Sequence, residues 1–129
     1  MKKIGTLFIM LVILAACGGK KEGAETANIL LTPQEFQDKF KPEAVIIDVR
    51  TPEEFTSGNL PNSLNIDFKN PEFEQNISLL DKEKTYLVYC ASGVRSGKAA
   101  NLMIEKGFKS VYALDGGLNA WQKAGMPMN

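Results

Sequence analysis

The chain contains no histidine. That absence removes the commonest general base and the commonest metal ligand, and with them any Ser-His-Asp or Cys-His catalytic arrangement. Cysteine is nearly as scarce. Only Cys17 and Cys90 occur, so neither a disulfide framework nor a zinc cluster is supported, and no metal or cofactor is expected. Neither sign of charge is in excess, with 15 basic and 15 acidic residues and no Lys/Arg run in the body of the chain. Nucleic acid is therefore not an expected partner. The N-terminal apolar run, Leu7 to Ala16, falls well short of the roughly 20 residues that a membrane-spanning helix needs.

What is present suits one globular domain. At 129 residues and 44% hydrophobic content, the chain can bury a core and is too apolar for bulk disorder. Its first residues read as an address. Lys2 and Lys3 precede the apolar run, which ends in small residues, as in a secretory signal. Leu14-Ala15-Ala16-Cys17 resembles the bacterial lipoprotein lipobox. The resemblance implies cleavage after Ala16, acylation of Cys17 and anchoring on the extracytoplasmic side of a membrane. Gly18 at the following position leans towards an outer membrane where the cell has one. Loss of residues 1–16 leaves 13 basic and 15 acidic side chains, so acyl chains rather than charge would hold the protein to the membrane. Residues 17–28 then form the lipidated cysteine and a flexible tether, and residues 29–129 the folded domain.

Within the domain, short apolar runs alternate with capped helical patterns. Thr32-Pro33-Gln34-Glu35 and Thr51-Pro52-Glu53-Glu54 are helix starts, with Glu53 and Glu54 read as helix-start carboxylates. Asn70-Pro71 is expected to cap a helix carrying Phe73, Ile77 and Leu80. Ala44–Val49, Leu64–Ile66, Tyr86–Tyr89 and Ser110–Leu114 are expected strands. A helix from about Arg95 to Lys106 ends at Gly107, and a last one spans about Leu118 to Lys123 with Trp121 inward. This alternation predicts an α/β fold with a mainly parallel central sheet covered by helices on both faces.

Cys90 ends the Tyr86–Tyr89 run and opens the segment Cys90-Ala91-Ser92-Gly93-Val94-Arg95-Ser96, which leads into a helix. Free N–H groups and the positive dipole end at a helix start favour a thiolate there, as does a nearby arginine. Such settings lower a cysteine from about 8.5 into the range of roughly 3.5 to 7.5. If Cys17 is acylated, Cys90 is the only thiol left, so an outside molecule must complete its sulfur chemistry.

Three segments in order then carry a family resemblance. They are Asp48-Val49-Arg50 with Glu53, Phe55 and Gly58–Ile66; the Cys90–Ser96 loop; and Leu114-Asp115-Gly116-Gly117-Leu118-Asn119-Ala120-Trp121. Together they resemble a single-domain rhodanese-type sulfurtransferase across about residues 29–127. The resemblance implies that Cys90 takes a sulfane sulfur from thiosulfate, a persulfide or a polysulfide. It holds that sulfur as a persulfide and passes it to a small or protein thiol, or to cyanide. Backbone N–H groups of Ala91, Ser92, Gly93, Val94, Arg95 and Ser96 would cradle the sulfur, with Arg95 steadying the thiolate or orienting the donor. Asp48 and Arg50 are expected to brace the sheet edge beside the loop. Four residues separate Cys90 from Arg95, one fewer than in cysteine-dependent phosphatases of related architecture. Asn59 stands where the family commonly has histidine. Two alternatives stay open: a non-catalytic module that binds persulfide, sulfide or a partner, and a small phosphatase.

Overall fold

The computed structural model describes residues 29–129. The expected signal, the expected acylation at Cys17 and the expected tether fall outside the described residues. Ten elements follow in chain order: β1 (Leu30–Leu31), α1 (Pro33–Asp38), β2 (Val45–Asp48), α2 (Pro52–Thr56), β3 (Ser63–Asn65), α3 (Phe73–Ser78), β4 (Thr85–Tyr89), α4 (Val94–Glu105), β5 (Ser110–Leu114) and α5 (Gly117–Lys123). The strands form one sheet in the order β1-β5-β4-β2-β3, and every pairing is parallel. The α/β reading therefore holds, and the sheet is wholly rather than mainly parallel.

Side-chain alternation divides the core in two. Ile47, Tyr86, Val88 and Cys90 pack with Phe73, Ile77, Ala99 and Met103, contributed by α3 and α4. On the opposite face Ile46, Leu87, Tyr89 and Leu114 pack with Phe36 of α1 and with Leu118 and Trp121 of α5. Covering both faces is what a parallel sheet requires, because its central strands then bury side chains on both sides, while the edge strands leave Leu30 and Leu64 exposed. Each fully buried Leu, Ile or Phe contributes about 1.5–3 kcal/mol.

Local chemistry sets the helix ends. Thr32 and Glu35 close a reciprocal capping box on α1. At the far end of α4, Phe108 N–H donates to Met103 O and Gly107 N–H to Ile104 O, the paired bonds of a Schellman turn with Gly107 at φ 94°. Two expectations shift. α3 has Glu72 rather than Asn70 at its N-cap, because the Asn70 side chain accepts from Glu72 N–H in a turn before the helix starts. Leu80 lies beyond the end of α3 yet still packs against the core. β1 had no counterpart in the sequence pattern, since two residues are too few to show a period.

The strand order places the site. From β2 the chain moves outward to β3, while from β4 it moves the opposite way to β5. The carboxyl ends of β2 and β4 therefore flank the point where the winding reverses, the usual location of ligand crevices in open parallel sheets. Asp48 ends one of these strands and Cys90 follows the other.

Candidate active site

Cys90 shares the side-chain parity of Val88 and so faces α4. Its Sγ accepts the Gly93 N–H at 3.0 Å and lies 3.3 Å from Ser96 Oγ. α4 begins at Val94, one residue earlier than expected, with Gly93 as an N-cap that has no side chain to satisfy the first amides. The cysteine sulfur takes that place. Burial pushes the Cys90 thiol up, but it is outweighed by the Ser96 hydroxyl and the N–H groups of Ser96, Gly93 and Ser92. The net result is a thiol held below its ordinary value. The sulfur is also enclosed: Cys90 is 0% exposed, at the floor of a loop whose Ser92 and Val94 are exposed. The polar atoms against Sγ belong to the loop itself.

The start of the loop is tied to the first residues of α5 by two backbone bonds. Leu118 N–H donates to Cys90 O at 2.8 Å and Asn119 N–H to Ala91 O at 3.0 Å. Those bonds direct the Cys90 and Ala91 carbonyls towards α5, while the Gly93 N–H turns to the sulfur. Such close approach requires glycine at 117, where a Cβ would sit 2.6 Å from Cys90 O and from the Ala91 carbonyl group. Gly93 has φ 96° and would place a Cβ 3.0 Å from Gly116 N.

Arg95 lies in the first turn of α4. Its two terminal nitrogens donate to the two carboxylate oxygens of Glu54, at 2.8 and 3.0 Å. Glu54 also accepts from Thr51 Oγ1 at 3.1 Å. The Arg95 bond is the largest influence on Glu54. It overcomes the effect of burial and holds the carboxyl at about 2. Arg95 is in turn raised, first by Glu54, with burial opposing and the charge on Cys90 contributing less. Reading Glu54 as only a helix-start carboxylate therefore missed a residue of the site. No short-range pattern reveals it, because the partners are 41 residues apart.

Asp48 and Arg50 form a second pair, buried at 0% and 6% exposure. Arg50 Nη2 donates to Asp48 Oδ2 at 2.7 Å and to Gly58 O at 2.6 Å, while Nε reaches both Asp48 oxygens. Asn65 Nδ2 donates to the carbonyls of Asp48 and Arg50, joining β3 to the same corner. Next to it, Tyr89 OH accepts from Leu60 N–H and donates to Ser63 Oγ. Burial pushes this phenol up to about 12, so it stays neutral. Asn59 donates to Phe55 O, tying its own turn together. Trp121 is fully buried, with Nε1 donating to Pro127 O. Among the described residues no group of His, Cys, Asp and Glu could hold a metal ion.

The pattern that defines the rhodanese-like domain matches residues 32–124. Thiosulfate sulfurtransferase GlpE of Coxiella burnetii is 50% identical over 42 residues, 33% of this chain and 39% of that protein. The match thus spans about two fifths of that relative's length. The enzyme of the same description from Haemophilus influenzae is 27% identical over 99 residues, 77% of this chain and 92% of that protein. Among solved structures, a rhodanese-related protein from Thermoplasma volcanium superposes with a TM-score of 0.69 at 28% identity, covering 77% of this chain and 95% of that one. A Rhodopseudomonas palustris protein of unknown function, described as a possible tyrosine phosphatase, gives 0.65 at 28% identity, over 81% of this chain and 89% of that one.

Proposed function

The chain belongs to the rhodanese-like domain family, and on that premise we propose that it is a sulfurtransferase working through a Cys90 persulfide. The observation that carries this reading is the convergence of the Gly93 N–H and the Ser96 hydroxyl on Sγ, within a ring only four residues wide before Arg95. In the first half-reaction the Cys90 thiolate attacks the outer sulfur of a donor. A new S–S bond forms to Cys90 as the donor's own S–S bond breaks. The leaving group, sulfite from thiosulfate or a thiolate from a persulfide, departs with the electron pair. In the second half-reaction an acceptor thiolate or cyanide attacks that outer sulfur, and Cys90 leaves again as the thiolate.

No proton has to be abstracted when the attacking group is already ionised, so a site without histidine suffices. The terminal sulfur of the persulfide carries negative charge. The amides that favour the thiolate are placed to receive it. Incubation with thiosulfate or an organic persulfide should add about 32 Da, one sulfur atom, to the Cys90 peptide. Cyanide should then remove it as thiocyanate over many turnovers, and Cys90→Ser should do neither. No added sulfur from any such donor would defeat the reading.

The enclosure of Cys90 supports a second reading, a module that stores sulfur or binds a partner without turning over. Stoichiometric loading with no acceptor-dependent release would favour it. Hydrolysis of aryl phosphates by a protein inert to sulfur donors would favour a phosphatase instead. For location we propose acylation at Cys17 and residence on the extracytoplasmic face of a bacterial membrane. Labelled palmitate should enter the wild type and not Cys17→Ala; no uptake by the wild type would refute the anchor.

A further inference from the structure

Arg95 is the only charged residue between Cys90 and Ser96. Both of its terminal nitrogens face the Glu54 carboxylate in a two-point bond. Thr51 Oγ1 donates to Oε1 of the same carboxylate, and the backbone N–H of Glu54 donates back to Thr51 Oγ1. The pair remains ionised across the physiological range, since Arg95 holds the Glu54 carboxyl down at about 2. Beside it the Val94 side chain stands 60% exposed, an apolar patch on the rim of the loop.

We infer that Glu54 is a specificity-determining residue: by neutralising Arg95 at the mouth of the loop, it disfavours dianionic thiosulfate and favours low-charge organic persulfides. The inference rests on the sulfur-transfer reading and narrows it to one donor class. With Arg95 matched by Glu54, the pair contributes no net attraction, while the Cys90 thiolate repels anions. That repulsion is linear in donor charge, so a dianion feels twice what a monoanion feels. A simple alkyl or benzyl persulfide carries one charge at most and brings a carbon body that the exposed Val94 can meet, whereas thiosulfate brings a charged sulfonate head. Glu54 touches neither sulfur nor donor in this scheme; it acts through Arg95.

Linearity in charge also gives the test a form that does not depend on the local dielectric. Glu54→Gln keeps an acceptor for Arg95 and removes one negative charge. If a monoanionic persulfide gains about threefold in kcat/KM, thiosulfate gains about the square of that, roughly tenfold, mainly through KM. Any general change in Cys90 reactivity acts on both donors and cancels in their ratio. Glu53→Gln removes the same charge from an exposed neighbour with no bond to Arg95, and serves as the control.

The experiment measures single-turnover sulfur loading of Cys90 from thiosulfate and from benzyl persulfide, whose terminal sulfur is its one ionisable group, in wild type and both variants. The expected result is a thiosulfate-to-persulfide ratio about threefold higher in Glu54→Gln and unchanged in Glu53→Gln. Equal losses with both donors would show that Glu54 merely holds Arg95 in place and would overturn the inference. Wild-type protein supplies a reading that needs no variant: added salt should leave thiosulfate loading level or raise it. A steep fall with salt would reveal an uncompensated Arg95 and overturn it as well. Loading from neither donor in wild type would overturn the sulfur-transfer reading together with this inference. Loading with an unchanged ratio overturns this inference alone.

Discussion

Two arginine–carboxylate pairs sit at the carboxyl end of this sheet, alike in chemistry and opposite in setting. Arg50 and Asp48 have side-chain exposures of 7% and 0%; Arg95 and Glu54 have 20% and 34%. The first pair lies within one strand end and ties it to Gly58. The second joins α2 to the first turn of α4, just after the cysteine loop. Charge taken out of water is expensive unless it is paired, so a buried pair matters most when one partner is removed. A rim pair is screened and weak in stability, yet it sets the potential that an approaching ion meets. The buried pair supports the scaffold, and the rim pair acts on the electrostatics of the site.

The sharpest way to break this contrast is to orphan Arg50. Asp48→Ala should destabilise the fold by about 3–5 kcal/mol, read as a lower denaturation midpoint at unchanged slope. The double variant Asp48→Leu/Arg50→Met should recover most of that loss, because no charge is left buried. A double variant no better than the single would mean that geometry, and not an unpaired charge, sets the cost.

A smaller effect separates the loop from the rim pair as the source of the thiolate. Ser96→Ala removes the side-chain donor to Sγ and should slow Cys90 reaction with a small alkylating reagent at neutral pH, by roughly three- to tenfold. Arg95→Met should slow it less, since that cation is already matched by Glu54. The opposite order would return the arginine to the role the sequence suggested for it.

The smallest effect concerns stability in acid. Glu54 is depressed from 4.5 to about 2 in the folded protein. A depressed carboxylate contributes stability that is fully present above its unfolded value and is lost as pH falls towards the folded one. The stability gap between wild type and Glu54→Gln should therefore be level above about pH 5 and close as pH approaches 2. Its height should stay under about 1 kcal/mol, because the pair is screened by solvent. A gap of several kcal/mol would make the rim pair structural after all.

How far such distinctions can be read from sequence depends on the range of the contacts involved. Capping at Thr32, the Gly107 stop and the alternating apolar runs act within a few residues, and each appears in the pattern itself. The position of Cys90 between β4 and α4 was legible for the same reason. The partner of Arg95 was not, because Thr51-Pro52-Glu53-Glu54 looks like the box at Thr32 while its glutamate bonds elsewhere. Glu35 Oε1 accepts from the N-cap N–H; Glu54 instead meets Thr51 Oγ1 and Arg95. Nor does the sequence disclose that a side chain at Gly117 would collide with the Cys90 and Ala91 carbonyls, or that Cys90 has no exposed surface. Such facts arise from elements distant in the chain that meet only once the sheet has formed.

Main-chain amides and the Ser96 hydroxyl, without any histidine, hold an enclosed thiol below its ordinary pKa. Ultraviolet thiolate absorbance tests it directly, because titration by absorbance needs no reagent to enter the loop. The difference between wild type and Cys90→Ser should titrate with a midpoint below the about 8.5 of an unperturbed cysteine. A midpoint at or above that value would contradict the account.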